Sequence, residues 1–310
     1  MNIPGRTCPL DYDIEREVFE SEIPTAVVLY VVGGLYGNKF ALDEIEKMKL
    51  EEEFSVSIIY NGDIHWFDKD IATFKYIESF VTTALLGNVE AEILRKEDLQ
   101  VGCGCSYPSC VSDVVVKRSN EIHRLLKNSV EKDEEILNSF SKRKKAMIVS
   151  VGDKKIFITH GDEKSLAGWG LSREELSDLD RQKELVNWFS EHKIDIIACT
   201  HTCSPAMLKL DSKVVINNGA SGMPNYKNRL SGNIIRISKI KSNRAICRTK
   251  IDDIYVELVA VNYDTDAFLN WFDNLWDKKS PASLSYRTRI IKGTKDEIKD
   301  SIINGFEICK

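Results

Sequence analysis

The chain has 310 residues, 43% of them hydrophobic and 29% charged, enough apolar material for one large globular domain. Its formal net charge of −5 argues against a nucleic-acid binder, because affinity for a phosphate backbone rests on dense Lys and Arg neutralisation. No apolar run approaches the roughly 20 residues that span a bilayer, and the N-terminal stretch lacks the apolar middle of a signal peptide. A cytoplasmic protein without membrane attachment, its eight cysteines kept as thiols, is therefore expected.

Residues 26–32 (AVVLYVV) form a continuous β-rich apolar run ending at Gly33-Gly34, and residues 56–60 form a second that ends in Asn61-Gly62-Asp63. Both read as buried strands. Between them, residues 41–48 repeat apolar positions at helical spacing, which makes a β-α-β unit with parallel strands and a right-handed crossover. A helix over 71–80 and a third strand over 81–86 follow, with Gly87-Asn88 where that strand ends. The insert GCGCSYPSC then leads into a long helix over about 112–142.

Strands over 146–151 and 155–159 flank the turn Gly152-Asp153, and His160-Gly161 comes next. A helix over about 173–192 precedes a strand over 194–199 and Thr200-His201-Thr202-Cys203. Residues 214–217, 232–237, 245–250 and 255–261 read as further strands, and 266–276 as a closing amphipathic helix. No repeat or linker interrupts this order. One domain over 1–310 is expected, with a core over about 26–225, a helical insert over about 103–145 and a β/α extension over 232–310.

Polar residues gather where the apolar strands end: Asp63, Asn88, His160, His201 and Asn217-Asn218. Ligands of α/β sheets bind outside the carboxyl ends of strands. One carboxylate, one amide and two imidazoles converging there suit a divalent transition metal such as Mn, Zn or Fe.

The order of these motifs resembles the calcineurin-like metallophosphoesterases, whose motifs run DxH, GD, GNH[DE], a later His and GHxH. The resemblance covers about residues 26–225: Gly34-Leu35-Tyr36-Gly37-Asn38 stands for the first motif, Gly62-Asp63 for GD and Gly87-Asn88-Val89-Glu90 for GNHE. Thr159-His160-Gly161 stands for the later His, and Thr200-His201-Thr202-Cys203 for GHTH. It implies an α/β fold, a four-layer α/β/β/α sandwich, with a dinuclear metal site at the strand ends.

The same resemblance implies that one metal position keeps its ligands, as Asp63, Asn88, His160 and His201, while the private ligands of the other are replaced by Gly34, Tyr36 and Cys203. The His that contacts phosphate in the family is Val89. A phosphoesterase with one metal or an atypical pair is expected, acting on a small phosphorylated substrate; the alternative is a protein that binds or senses such a ligand without turnover. Asp63 and His201 are the expected catalytic residues. His65 is a third, since alternation in an extended segment would keep it on the side of Asp63, and Cys203 is an expected fifth metal ligand as thiolate. Cys103, Cys105 and Cys110 are further candidates for soft ligands.

Overall fold

A computed structural model describes residues 3–97 and 99–309. Its two seven-stranded sheets are stacked, and alternation along single strands decides what each face meets. In Val28–Val32, every residue is buried: Val28, Tyr30 and Val32 pack under helices Lys39–Leu50 and Thr265–Leu275, whereas Leu29 and Val31 point into the space between the sheets. Across that space stand Ile156 and Ile158 of Lys154–Thr159 and Ile196 and Ala198 of Ile196–Cys199. Their neighbours Phe157, Ile197 and Cys199 face outward onto helix Leu179–His192 through Leu185 and Phe189. The layers are thus α/β/β/α, as the resemblance implied.

One sheet runs Thr25–Ala26, Ala146–Val151, Lys154–Thr159, Ile196–Cys199, Lys213–Asn217, Ala206–Leu210, Ile302–Asn304. The other runs Glu307–Ile308, Ala245–Ile251, Ile254–Val261, Gly232–Ser238, Val28–Val32, Val56–Asn61, Ala84–Leu85. Val28–Val32 and Val56–Asn61 are parallel, as are Lys154–Thr159, Ile196–Cys199 and Lys213–Asn217. Parallel pairing brings the carboxyl ends of each set to one edge, and the loops after Asn61, Thr159 and Cys199 meet there.

Several expected elements are divided. The apolar run 26–32 changes sheets at Val27: Ala26 pairs with Val151, and Val28 pairs with Val56. The helix expected over 112–142 is two, Asp113–Val130 and Glu134–Phe140, because the Asp133 carboxylate caps the second by accepting the Ile136 N–H. Asp178 likewise separates Arg173–Leu176 from Leu179–His192. The third strand shrinks to Ala84–Leu85. Strands Ala206–Leu210, Ile302–Asn304 and Glu307–Ile308 and helices Asn88–Leu94 and Pro281–Lys292 complete the layers without having been expected. Among the described residues, no helix is long and apolar enough to cross a membrane.

Candidate metal centre

Strand Val56–Asn61 ends in two residues of left-handed backbone, Gly62 (φ 73°) and Asp63 (φ 49°), which turn the Asp63 carboxylate sharply out of the sheet. Buried Glu90 holds this turn in place. Its carboxylate accepts the N–H groups of Asp63 at 3.0 Å, Ile64 at 2.8 Å and Gly87 at 2.9 Å, tying two strand ends together. Asp63 Oδ1 in turn accepts the Val89 N–H at 3.2 Å.

Two buried histidines arrive from the facing sheet, and backbone carbonyls fix their tautomers. His160 Nδ1 donates to Asn61 O at 2.8 Å, which leaves the lone pair on Nε2; His201 Nε2 donates to Cys105 O at 3.1 Å, which leaves it on Nδ1. Those two lone-pair nitrogens stand 3.2 Å apart. Asn88 donates through Nδ2 to Cys103 O (2.9 Å) and Cys105 Sγ (3.3 Å), so its Oδ1 points inward, 3.2 Å from His160 Nε2. Asp63 Oδ1 lies 3.4 Å from the same nitrogen.

Four electron-pair donors therefore crowd one point, and the Asp63, His160 and His201 donors all lie within 4.8 Å of one another. Such crowding repels unless a cation divides it. Ligands about 2.0–2.2 Å from a metal ion are themselves roughly 3.0–3.5 Å apart, the spacing seen here. When no ion is bound, a proton on His160 Nε2 relieves the same crowding. Burial works to raise the Asp63 carboxyl, but His160 outweighs it and holds Asp63 below the usual carboxylate range. His160 is raised against its own burial, chiefly by Asp63, and His201 is pushed down to about 3 by burial and then by His160.

No family model matches the sequence, and no curated protein matches it. Solved structures do. The hypothetical protein PH1004 of Pyrococcus horikoshii OT3 superposes with a TM-score of 0.61 at 13% identity, covering 87% of this chain and 100% of its own. A metallophosphoesterase of Sphaerobacter thermophilus superposes with a TM-score of 0.54 at 13% identity, covering 86% of this chain and all of its own. The chain has the metallophosphoesterase fold.

Within that fold, side chains fill the place that the resemblance assigns to a first metal. A Cβ on Gly34 would lie 3.0 Å from the Tyr36 ring, so the ring covers the space an aspartate would need. The Tyr36 hydroxyl lies 2.7 Å from Cys203 Sγ. Cys203 is thus engaged with Tyr36 and stands outside the donor cluster, contrary to its expected place as a fifth ligand. Cys103 and Cys105 also take another role: their carbonyls and the Cys105 sulfur orient Asn88 and His201, and Cys110 is exposed.

His65 does not join the centre. The left-handed turn at Asp63 breaks the two-residue alternation on which that expectation rested, and the ring stacks on Phe74 at 3.5 Å, with Nδ1 2.6 Å from Asp68 and Nε2 2.9 Å from Glu78. Arg143 also contacts Glu78, at 2.5 Å. Burial opposes charge on His65, but Asp68 and then Glu78 raise it to about 9; Glu78, against its burial, is lowered to about 2 by His65 and then Arg143. The raised His65 contributes stability that is complete below its unfolded value near 6.5 and lost as pH rises through 9. The lowered Glu78 contributes stability present above 4.5 and lost as pH falls through 2. Removing His65 leaves buried carboxylates without their partner, so His65→Ala is expected to destabilise by about 3–5 kcal/mol in urea unfolding. It should also flatten the alkaline fall in stability. Loss of less than about 1 kcal/mol would contradict this role.

Beside the donor cluster opens a cleft of about 210 Å³, walled by Trp66, Tyr107, Trp169 and Tyr286. Tyr286 comes from helix Pro281–Lys292, and Trp169 from the loop after His160. Trp169 donates its indole N–H to Cys105 O at 3.0 Å and meets the His201 ring edge-on at 5.4 Å. Of these walls only Trp169 carries a signal in the sequence, as an aromatic in a charged, Gly-containing loop directly after His160. Arg287, next to Tyr286, pairs with Asp273 at 2.8 Å on the surface.

Proposed function

We propose that the chain is a metal-dependent phosphoesterase working with one divalent transition metal ion. The observation that carries this reading is the meeting of Asp63 Oδ1, Asn88 Oδ1, His160 Nε2 and His201 Nδ1 at coordination spacing, each held there by a hydrogen bond from outside the cluster. These donors suit Mn, Zn or Fe. Such an ion, when bound, supplies a water of lowered pKa and polarises a phosphoryl oxygen. Asp63 and His201 act by holding the ion at the cleft wall, and Tyr36 with Cys203 closes the neighbouring position. A cytoplasmic setting fits the eight free cysteines.

Val89 cannot protonate a leaving group, and His65 is committed elsewhere. Rates should therefore depend steeply on leaving-group acidity, with aryl esters far ahead of alkyl esters. A flat dependence across a series of substituted phenyl esters would point to a proton donor in the cleft. The vacancy of the acid role also favours a second reading, capture of a phosphorylated ligand without turnover. Metal analysis with an aryl ester assay separates the two: one equivalent of tightly held metal and hydrolysis that vanishes in His201→Ala supports the enzyme. Bound metal with no turnover over a broad ester panel supports the binder, and no uptake of Mn or Zn sinks both.

A further inference from the structure

The cleft walls and the charge inventory around the donor cluster point to a particular kind of phosphate. Besides Tyr36, the lining residues Trp66, Tyr107, Val111, Val115, Trp169 and Tyr286 are apolar or aromatic. Tyr107 turns its hydroxyl to Ser119 Oγ at 3.0 Å, and its ring lies 6.1 Å from that of Trp169. Among the described residues, no Lys or Arg lines the cleft. Arg289, beside Cys203, spends its guanidinium on the carbonyls of Pro224 (2.7 Å) and Cys203 (3.1 Å). Among the described residues, Asp63 is the single carboxylate of the lining.

We propose, resting on the phosphoesterase reading above, that this cleft selects phosphodiester monoanions bearing a planar aromatic group over phosphomonoester dianions. A divalent ion on one carboxylate, two neutral imidazoles and an amide carbonyl keeps one net positive charge among its ligands, and the buried Glu90 carboxylate behind Asp63, though answered by three backbone N–H groups, only disfavours further negative charge. A diester neutralises it. A monoester leaves one negative charge against apolar walls with no cation to meet it, which costs desolvation without compensation. At about 210 Å³ the cleft has room for the phosphate and one ring, below the roughly 300 Å³ at which pockets for larger ligands begin. The ring of the ester then packs on Trp169 and Tyr107.

The test compares three ligands on the Mn-loaded chain by calorimetry and Trp fluorescence, at about pH 8, above the second phosphate pKa of roughly 6. Methyl phenyl phosphate and phenyl phosphate share the ring and differ in charge; dimethyl phosphate shares the charge and lacks the ring. Methyl phenyl phosphate is expected to bind at least about tenfold tighter than either of the others. Val115→Arg, which adds a cation at the half-buried rim, should raise phenyl phosphate affinity and close the gap. Trp169→Phe should keep most of the ring preference and Trp169→Ala should lose it, each variant being compared with the parent at Mn concentrations that saturate it. A metal-loaded chain that binds phenyl phosphate as tightly as the diester, or dimethyl phosphate as tightly as methyl phenyl phosphate, overturns the inference alone. A chain that takes up neither Mn nor Zn overturns the metal reading and this inference with it.

Discussion

Alanine in place of His160 is expected to abolish metal uptake, lowering affinity by more than the roughly 100-fold that losing an outer hydrogen-bond partner costs. His160 Nε2 is the hub of the cluster, within 3.2–3.4 Å of Asn88 Oδ1, His201 Nδ1 and Asp63 Oδ1. Removing it deletes one donor and also the ring that keeps the Asp63 carboxylate charged. Equilibrium dialysis against Mn or Zn reads the first effect. Loss of the melting-temperature rise on adding metal reads the loss of binding a second way, because a ligand that binds only the folded chain stabilises it by about 2.7 kcal/mol at 100 times Kd. His123→Ala is the control: His123 is also buried, and it bonds the Val89 carbonyl at 3.1 Å outside the cluster. Normal uptake by the His160 variant, or equal loss in the His123 variant, would remove the four-donor centre from consideration.

Gly62→Ala should destabilise the fold strongly, by about 3 kcal/mol or more. Its backbone is left-handed (φ 73°), which costs a side-chain-bearing residue about 1–2 kcal/mol. The added Cβ would also lie 2.5 Å from Gly87 N and 2.8 Å from His160 Nδ1. Neither neighbour can swing aside, since Gly87 N–H is held by Glu90 and His160 Nδ1 by Asn61 O. The variant should unfold at lower urea and bind metal weakly. Gly152→Ala supplies the contrast: the hairpin glycine is also left-handed, yet its Cβ meets no backbone, only the ends of side chains, Lys239 Cε at 3.0 Å and Ile254 Cδ1 at 3.3 Å. Costs that are equal in the two variants would mean that backbone conformation, and not the approach of the two strand ends, governs Gly62.

The four donors were legible in sequence because each follows an apolar strand or precedes a Gly at a strand end, and parallel strands send those ends to one edge. His65 was misplaced because Asp63 adopts left-handed backbone, at φ 49°, which redirects the chain in a way that period-two reasoning cannot follow. Cys203 was placed by the resemblance alone, and its thiol lies instead against the Tyr36 hydroxyl. The Cys103-Cys105 loop drew notice for its thiols, while its contribution lies largely in carbonyls that every residue carries. Helix Pro281–Lys292 did carry a signal: Ser280 caps it, accepting the Ser283 N–H, and Pro281 stands at its first position. The terminal strands had no such signal. Ile302–Asn304 and Glu307–Ile308 are too short for alternation, and only their partners in the two sheets define them.

Those short strands matter beyond their length. At one side of the sandwich the chain passes from sheet to sheet at Val27; at the opposite side it does so again at Gly305 (φ 71°), between Ile302–Asn304 and Glu307–Ile308. The two sheets are joined by continuous backbone at both of these places, so neither can open without tugging the other. Amide hydrogen exchange should then register the inner strands of both sheets as a single foldon, released together at the global unfolding free energy.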